Sequence, residues 1–244
     1  MENTKWRTLY RAGAVAPLIA LVFYISEFSI MIVGDTPYPS TIAGWYALLQ
    51  RSKLLGLWYL NALDILSFAL LGIMFLALYM ALRYIRPSLM LIALYFALLG
   101  VVVFIVPRVL HLALLPLSDM HAAATTEARR MMLLAAGEAL SQVSTATPQT
   151  LGFLLMAFAG LLISVVILQS QSFGKAVAYV GMLGFVAALA NYVSWLFAPA
   201  IAAMLMPING LLWFLWWIII SIALFKLAKA TSDKVTESAV LKKN

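Results

Sequence analysis

Six polar or ionisable side chains lie within or beside long apolar stretches of this chain, and they fall toward the same end of those stretches. They are Glu27, Asn61, Asp64, Arg108, His111 and Asn191. A carboxylate in hydrocarbon costs roughly 2.5–3.5 kcal/mol on insertion scales, so it is expected to face other helices and to find a partner there. Together the six residues predict a polar ligand pocket that opens at one face of a membrane.

Arg108 is the expected partner of the two carboxylates, because its long side chain reaches down from a shallower depth than Glu27 or Asp64. Asn61 and Asp64 are three residues apart and share one helical face. Glu27 is the strongest functional candidate, since its own apolar stretch holds no basic residue at that depth. A buried carboxylate beside an arginine suits a general base, with the guanidinium holding an anionic group.

Each residue also has a structural interpretation. Asparagines in membrane spans commonly join helix to helix, contributing about 0.6 kcal/mol on average. Asp64 and Arg108 could form only a stabilising ion pair, and His111 could be an ordinary interfacial histidine. The sequence leaves these alternatives open.

Several chemistries are disfavoured by what the chain lacks. His111 and His121 are not at helical same-face spacing, and no His-x-x-x-His or Glu-x-x-His pair occurs, so we predict no metal and no cofactor. There is no cysteine, no Gly-x-Ser-x-Gly motif, and no lysine in the middle of an apolar stretch for a Schiff base.

The elements that position these residues are six apolar stretches, each long enough to cross about 30 Å of hydrocarbon with about 20 residues. They cover residues 12–33, 54–82, 89–107, 150–169, 176–198 and 204–228. The chain is 65% hydrophobic and 10% charged. We therefore predict an all-α bundle of six transmembrane helices in one domain, residues 1–230, followed by a polar basic tail, residues 231–244.

Two further helices are expected in the long loops, because apolar residues recur there at helical spacing. They cover residues 42–55 and 122–142. Expected N-caps are Ser40 or Thr41 for the first and Asp119 or Thr125 for the second. Such amphipathic helices either lie in the membrane interface or form a lid over the outer mouth of the bundle.

The distribution of Lys and Arg predicts the orientation. Eleven basic residues fall on the side that carries both termini and the two short turns, and five fall on the other side. By the positive-inside rule both termini are cytoplasmic, in a multi-pass protein of the cell membrane. The net charge of +7 does not indicate nucleic-acid binding, because the basic residues flank apolar spans and form no patch interleaved with aromatics.

Several segments resemble a known family. They are residues 44–50, 76–83, 87–88, 122–129, 133–140, 162–164 and 173–181, of which 125–128 (Thr-Thr-Glu-Ala) and 136–140 (Ala-Gly-Glu-Ala-Leu) are the most distinctive. The chain is similar over residues 5–230 to prokaryotic membrane proteins catalogued as domain of unknown function 4386. The resemblance implies a multispan membrane protein and no particular activity. Arg108 and His111 lie outside the matched segments.

Three functions follow as hypotheses. The first is a non-enzymatic binding or accessory protein, whose outward pocket takes a small amphiphile or lipid or whose faces dock partner membrane subunits. The second is an intramembrane enzyme that uses Glu27 or Asp64 as base with Arg108. The third is a small-molecule transporter, which is disfavoured because the chain shows no inverted repeat and the inner halves of the spans are apolar.

Overall fold

The computed structural model describes residues 6–33, 37–145 and 147–241, and in these residues every regular element is a helix. Six helices are long and apolar enough to cross a membrane, as predicted. They are α1 (Arg7–Val33), α4 (Leu63–Leu82), α5 (Pro87–His111), α8 (Thr147–Ile167), α9 (Lys175–Phe197) and α10 (Pro199–Leu241). Four shorter or more polar helices complete the set: α2 (Ile42–Arg51), α3 (Lys53–Tyr59), α6 (Leu114–Ala122) and α7 (Glu127–Thr145).

The six long helices form a closed ring. Each packs against the next in the order α1, α4, α5, α8, α9 and α10, and α10 returns to pack against α1. Small residues permit the closest of these approaches: a Cβ on Gly100 of α5 would lie 2.8 Å from the Gly152 carbonyl oxygen of α8. Helix association in lipid depends on such packing, because lipid tails are as apolar as the side chains themselves.

The axis of the ring is filled by aromatic side chains, one or more from every long helix. This aromatic core includes Tyr24, Phe68, Phe104, Phe153, Tyr192 and Trp213. The Phe68 and Phe104 rings stack with centroids 3.7 Å apart, and Phe153 stacks on Tyr192 at 5.1 Å. The aromatic core therefore closes the middle of the bundle.

Helices α2, α3, α6 and α7 form a capping layer at one end of the ring. Their apolar side chains make a second hydrophobic cluster that includes Trp45, Leu49, Tyr59 and Leu114. The Tyr46 hydroxyl donates a hydrogen bond to the Leu133 carbonyl oxygen (2.8 Å) and so ties α2 to α7. These contacts join the helices of the capping layer to one another.

The predicted second stretch, residues 54–82, is wrong as a single helix. The helix stops at Tyr59 and restarts at Leu63, and between them Asn61 adopts a φ of 53°. Asparagine tolerates this left-handed conformation better than most residues, because its short polar side chain bonds locally. The break separates α3, in the capping layer, from the membrane-spanning helix α4.

The first loop helix, predicted over residues 42–55, ends at Arg51. Its N-cap is Thr41, one of the two residues expected, whose side-chain oxygen accepts a hydrogen bond from the Gly44 N–H (3.1 Å). Ser52 ends α2 and caps α3 by accepting from the Leu55 N–H (3.3 Å). The cap at Ser52 thus divides the predicted helix into α2 and α3.

The second loop helix was predicted over residues 122–142 but begins at Glu127 and runs to Thr145. The Thr126 hydroxyl accepts from the Arg129 N–H (3.3 Å), so the cap is neither Asp119 nor Thr125. Asp119 lies inside α6, a helix that the sequence did not predict. Its carboxylate accepts hydrogen bonds from Lys53 Nζ (2.8 Å) and Gln50 Nε2 (2.9 Å). These bonds hold α2 and α3 against α6.

The other end of the ring carries the N-terminal segment and both short turns, and we name it the basic end. The Arg83 guanidinium lies over the Trp6 ring at 6.0 Å, and Arg86 Nε donates to Gln169 Oε1 (2.9 Å). The first contact joins the chain start to the turn between α4 and α5, and the second joins the two turns. Helix α10 continues without a break to Leu241, so the described part of the predicted tail is helical.

Candidate functional site

The site is built around the break at Asn61, because that break places the N-terminus of α4 inside the protein. Helix α4 has no capping side chain of its own at Ala62. Instead the Leu63 N–H donates to Glu27 Oε1 of α1 (3.1 Å). The first N–H groups of a helix lack intrahelical partners and carry partial positive charge, so a carboxylate is a favourable cap there.

Asp64 lies one residue further along α4 and pairs with Arg108 of α5. Arg108 Nη2 is 3.3 Å from Asp64 Oδ2, and the two side chains are 8% and 5% exposed. Glu27 is 4% exposed. The ion pair is therefore buried, and a second carboxylate is buried beside it.

His111 follows Arg108 by three residues on α5 and so lies on the same helical face. It is 2% exposed, and its ring is 6.2 Å from that of Trp45 in α2. We name Glu27, Asp64, Arg108 and His111 the charged cluster. The sequence predicted all four as one group, and the structure brings them together.

Several polar atoms in and beside the charged cluster are buried without a hydrogen-bond partner among the described residues. They are Asp64 Oδ1, Arg108 Nε, both ring nitrogens of His111, and the hydroxyl of Ser67, one turn after Asp64. More than nine in ten buried polar groups in proteins are paired. So many unpaired atoms in one place need an explanation.

Aromatic rings enclose the charged cluster on two sides. On the inner side lie Phe68 and Phe104, each one turn below a charged residue on its own helix; the Arg108 guanidinium is 5.3 Å from the Phe104 ring. On the side of the capping layer lie Tyr38, Trp45 and Tyr59, which we name the aromatic lid. Tyr38 contacts Trp45 edge-on (5.1 Å) and stacks on Tyr59 (6.0 Å).

The pKa values of Tyr38 and Tyr46 are raised above the ordinary value for tyrosine. Burial raises the pKa of Tyr38, with the nearby Arg108 charge acting in the opposite direction. Burial also raises the pKa of Tyr46. Tyr38 belongs to the aromatic lid and is 53% exposed, whereas Tyr46 contacts His121, outside the charged cluster.

The other two predicted site residues lie differently. Asn61 contributes through its backbone, which forms the break and accepts the Asp64 N–H at its carbonyl oxygen (3.1 Å). Asn191 is buried on α9, and no contact of the described residues joins it to the charged cluster. Its side-chain oxygen is unpaired.

Tyr24 and Ser67 are site residues that the sequence reasoning missed. Tyr24 lies beside the Asp64 carboxylate and interacts with it, and it also packs edge-on against Phe68. Its position three residues before Glu27 was an available signal, because that spacing puts both on one face of α1. Ser67 likewise lies three residues from Asp64, on the same face of α4.

The charged cluster combines acceptors, donors and a histidine that can act as either. Asp64 Oδ1 accepts and Arg108 Nε donates, while each nitrogen of a neutral imidazole does one or the other. Among the described residues there is no group of three or more His, Cys, Asp or Glu side chains that could hold a metal ion. The arrangement suits a polar head group or proton transfer.

Comparisons of the chain with protein-family models, curated proteins and solved structures give no match. The resemblance to domain of unknown function 4386 stays a prediction.

Proposed function

We propose that this is a non-enzymatic binding protein of the cell membrane, which holds the head group of a small amphiphile in the charged cluster. The observation that carries the proposal is the set of unpaired polar atoms on Asp64, Arg108 and His111, all buried together. An unsatisfied buried donor or acceptor costs about 1–3 kcal/mol. A head group that bonds to these atoms recovers that cost when it binds.

The surroundings favour an amphiphile over a fully polar ligand. The charged cluster lies between the aromatic core and the aromatic lid, so anything bound there contacts apolar rings on two sides. Ligand sites are typically of this kind, mostly apolar with a few placed polar groups. An alkyl tail finds compatible surface, whereas a large polar molecule does not.

Access requires the aromatic lid to move. Trp45 lies in α2 and Tyr59 in α3, and both helices are held to α6 through Asp119. Helix α3 has a break at each end, at Ser52 and at Asn61. Two breaks around a seven-residue helix give hinge points on which the lid can open.

We further propose that the basic end faces the cytoplasm and the capping layer faces outside. Part of the charge count has support from the contacts of two arginines. Arg83 contacts Trp6 and Arg86 bonds to Gln169, so the N-terminal segment and both short turns lie at one end of the ring. The positive-inside rule then orients that end inward. Lipids surround the ring, and docking of a partner membrane subunit is compatible with this orientation.

An intramembrane enzyme is the second candidate, and His111 is the observation that favours it. An imidazole with two unpaired nitrogens near an Asp–Arg pair is equipped to move a proton, with Glu27 or Asp64 as base. Transport is less favoured, because the aromatic core fills the axis of the ring.

Binding is tested by thermal unfolding of the purified protein in a neutral detergent, with and without three dodecyl amphiphiles: dodecylamine, dodecyl phosphate and dodecanol. A ligand that binds only the native state raises the unfolding temperature. We expect at least one amphiphile to do so in the native protein and to lose the effect in Asp64→Asn/Arg108→Met, which removes both charges together.

The matched control is Glu127→Gln/Arg130→Met, because Glu127 and Arg130 form an exposed pair (3.9 Å) outside the charged cluster. It should keep the full response. Equal responses in all three proteins, or none in any, would contradict the proposal.

A further inference from the structure

The charged cluster holds two carboxylates and one guanidinium. Glu27 and Asp64 are both buried, and Arg108 pairs with Asp64. With all three groups ionised, one negative charge remains without a counter-charge. An uncompensated charge in a low-dielectric interior is costly, so a partner of opposite sign is favoured.

The N-terminus of α4 supplies only part of the missing positive charge. The N-terminus of α4 bonds Glu27 through the Leu63 N–H, and a helix N-terminus acts as roughly half a positive charge. It is also shared with Asp64 in the same first turn. The remaining positive charge is supplied by a proton on Glu27 while the site is empty, and a bound cation can take the place of that proton.

The unpaired acceptor atoms in the charged cluster also favour a cation. Asp64 Oδ1 is buried and unpaired, and Glu27 uses one oxygen for the cap. His111 adds unpaired nitrogens on the same side of α5. An ammonium group has N–H donors to meet these acceptors. An incoming anion could bond Arg108 Nε, but it would face two carboxylates. Like charges so placed disfavour an anion strongly.

The aromatic rings suit a cation as well. Tyr24 lies beside Asp64, and Trp45 lies beside His111. Ring faces attract organic cations, and cages of aromatic residues recognise ammonium groups. A bare metal ion is a poorer fit, because the described residues contain no cluster of three metal-ligating side chains.

Building on the proposed function, we infer that the ligand is an amphiphile with a singly charged ammonium head group, held between the carboxylates of Glu27 and Asp64. The guanidinium of Arg108 is then a positioning group, which fixes Asp64 Oδ2 and leaves Oδ1 for the ligand. Tyr24 and Trp45 supply ring surface around the head group.

The test is calorimetric titration of the protein, in nanodiscs of neutral lipid, with dodecylamine, dodecyltrimethylammonium, dodecyl phosphate and sodium chloride. The variant is Glu27→Gln, which keeps an oxygen for the Leu63 N–H and so preserves the cap. We expect both ammonium amphiphiles to bind the native protein, dodecylamine more tightly because the trimethylammonium head group has no N–H to donate. Glu27→Gln should weaken both about tenfold to a hundredfold, the size of one lost charged contact.

Glu138→Gln is the control, because Glu138 is an exposed carboxylate on α7 that accepts a hydrogen bond from Gln142 (3.0 Å), one turn further along the same helix. It should bind like the native protein. Equal affinity in Glu27→Gln and native protein would overturn the inference, as would binding of sodium ion without binding of either ammonium amphiphile.

The failure of the inference is distinguishable from that of the proposed function. Binding of dodecyl phosphate, abolished in Asp64→Asn/Arg108→Met, would overturn the cationic ligand and leave a binding site in place. Binding of no amphiphile, or binding that the double variant leaves unchanged, would overturn both.

Discussion

Removing the Asp64–Arg108 pair one charge at a time should give unequal losses of stability. The pair is buried, so each single change leaves a charge inside the protein without its partner. Breaking a buried pair in this way costs about 3–5 kcal/mol. Arg108→Met leaves two carboxylates, Glu27 and Asp64, with no cation, and we expect the upper end of that range.

Asp64→Asn should cost less, at or below the lower end of the range. Glu27 remains in the charged cluster and offers Arg108 a second carboxylate, which the native protein holds at the α4 cap. The double variant removes both charges, so its loss should be about 2–3 kcal/mol smaller than the sum of the two single losses. A coupling energy of this size is typical of residues in direct contact.

The assay is equilibrium unfolding in a neutral detergent, followed by the fluorescence of the seven tryptophans. The exposed pair Glu127 and Arg130 provides a parallel cycle, with expected effects of 1 kcal/mol or less, about what exposed pairs give. Additive losses in the Asp64–Arg108 cycle, or a larger loss for Asp64→Asn than for Arg108→Met, would refute the reasoning.

Three further predictions concern the cap, the packing and the orientation. Without ligand, Glu27→Gln should change the unfolding free energy by less than about 1 kcal/mol, because the Leu63 N–H keeps its acceptor; denaturant titration checks this, and a loss above about 3 kcal/mol would contradict it. Gly100→Ala should destabilise the protein by about 1–3 kcal/mol through overpacking against α8. Gly72→Ala should be neutral or stabilising in the same titration, because its Cβ would lie 3.8 Å from the nearest atom, Leu98 Cδ2. In intact cells a cysteine at Ala123 should react with an impermeant thiol reagent and one at Ser88 should not; the reverse labelling would overturn the orientation, and the absence of native cysteines keeps the background low.

The six spans could be predicted because hydropathy and length decide them almost alone. Helices α1, α5 and α10 extend beyond the predicted bounds, because a helix can continue into more polar sequence past its apolar run. The break at Asn61 could not be predicted this way. Residues 54–82 form one apolar run, and α3 leaves it only because it packs into the capping layer while Glu27 caps the new end of α4.

The charged cluster could be predicted because buried charge demands a partner and the chain offers few. Depth along each span placed Glu27, Asp64, Arg108 and His111 toward the same end of the bundle, with Arg108 shallow enough for its long side chain to reach down to the carboxylates. Depth does not give the rotation of a helix about its own axis, and Asn191 was included on depth alone. The closure of the site was also out of reach, because it depends on how α2 and α3 fold back over the bundle.

Direct visualisation of the head group tests the central claim most closely. The measurement is a structure of the protein in neutral nanodiscs with dodecylamine, beside one of Glu27→Gln under the same conditions. We predict head-group density between Glu27 and Asp64 Oδ1, beneath Trp45, in the native protein and not in the variant. Amphiphile density confined to the lipid-facing surface, with the charged cluster closed in both structures, would contradict the account.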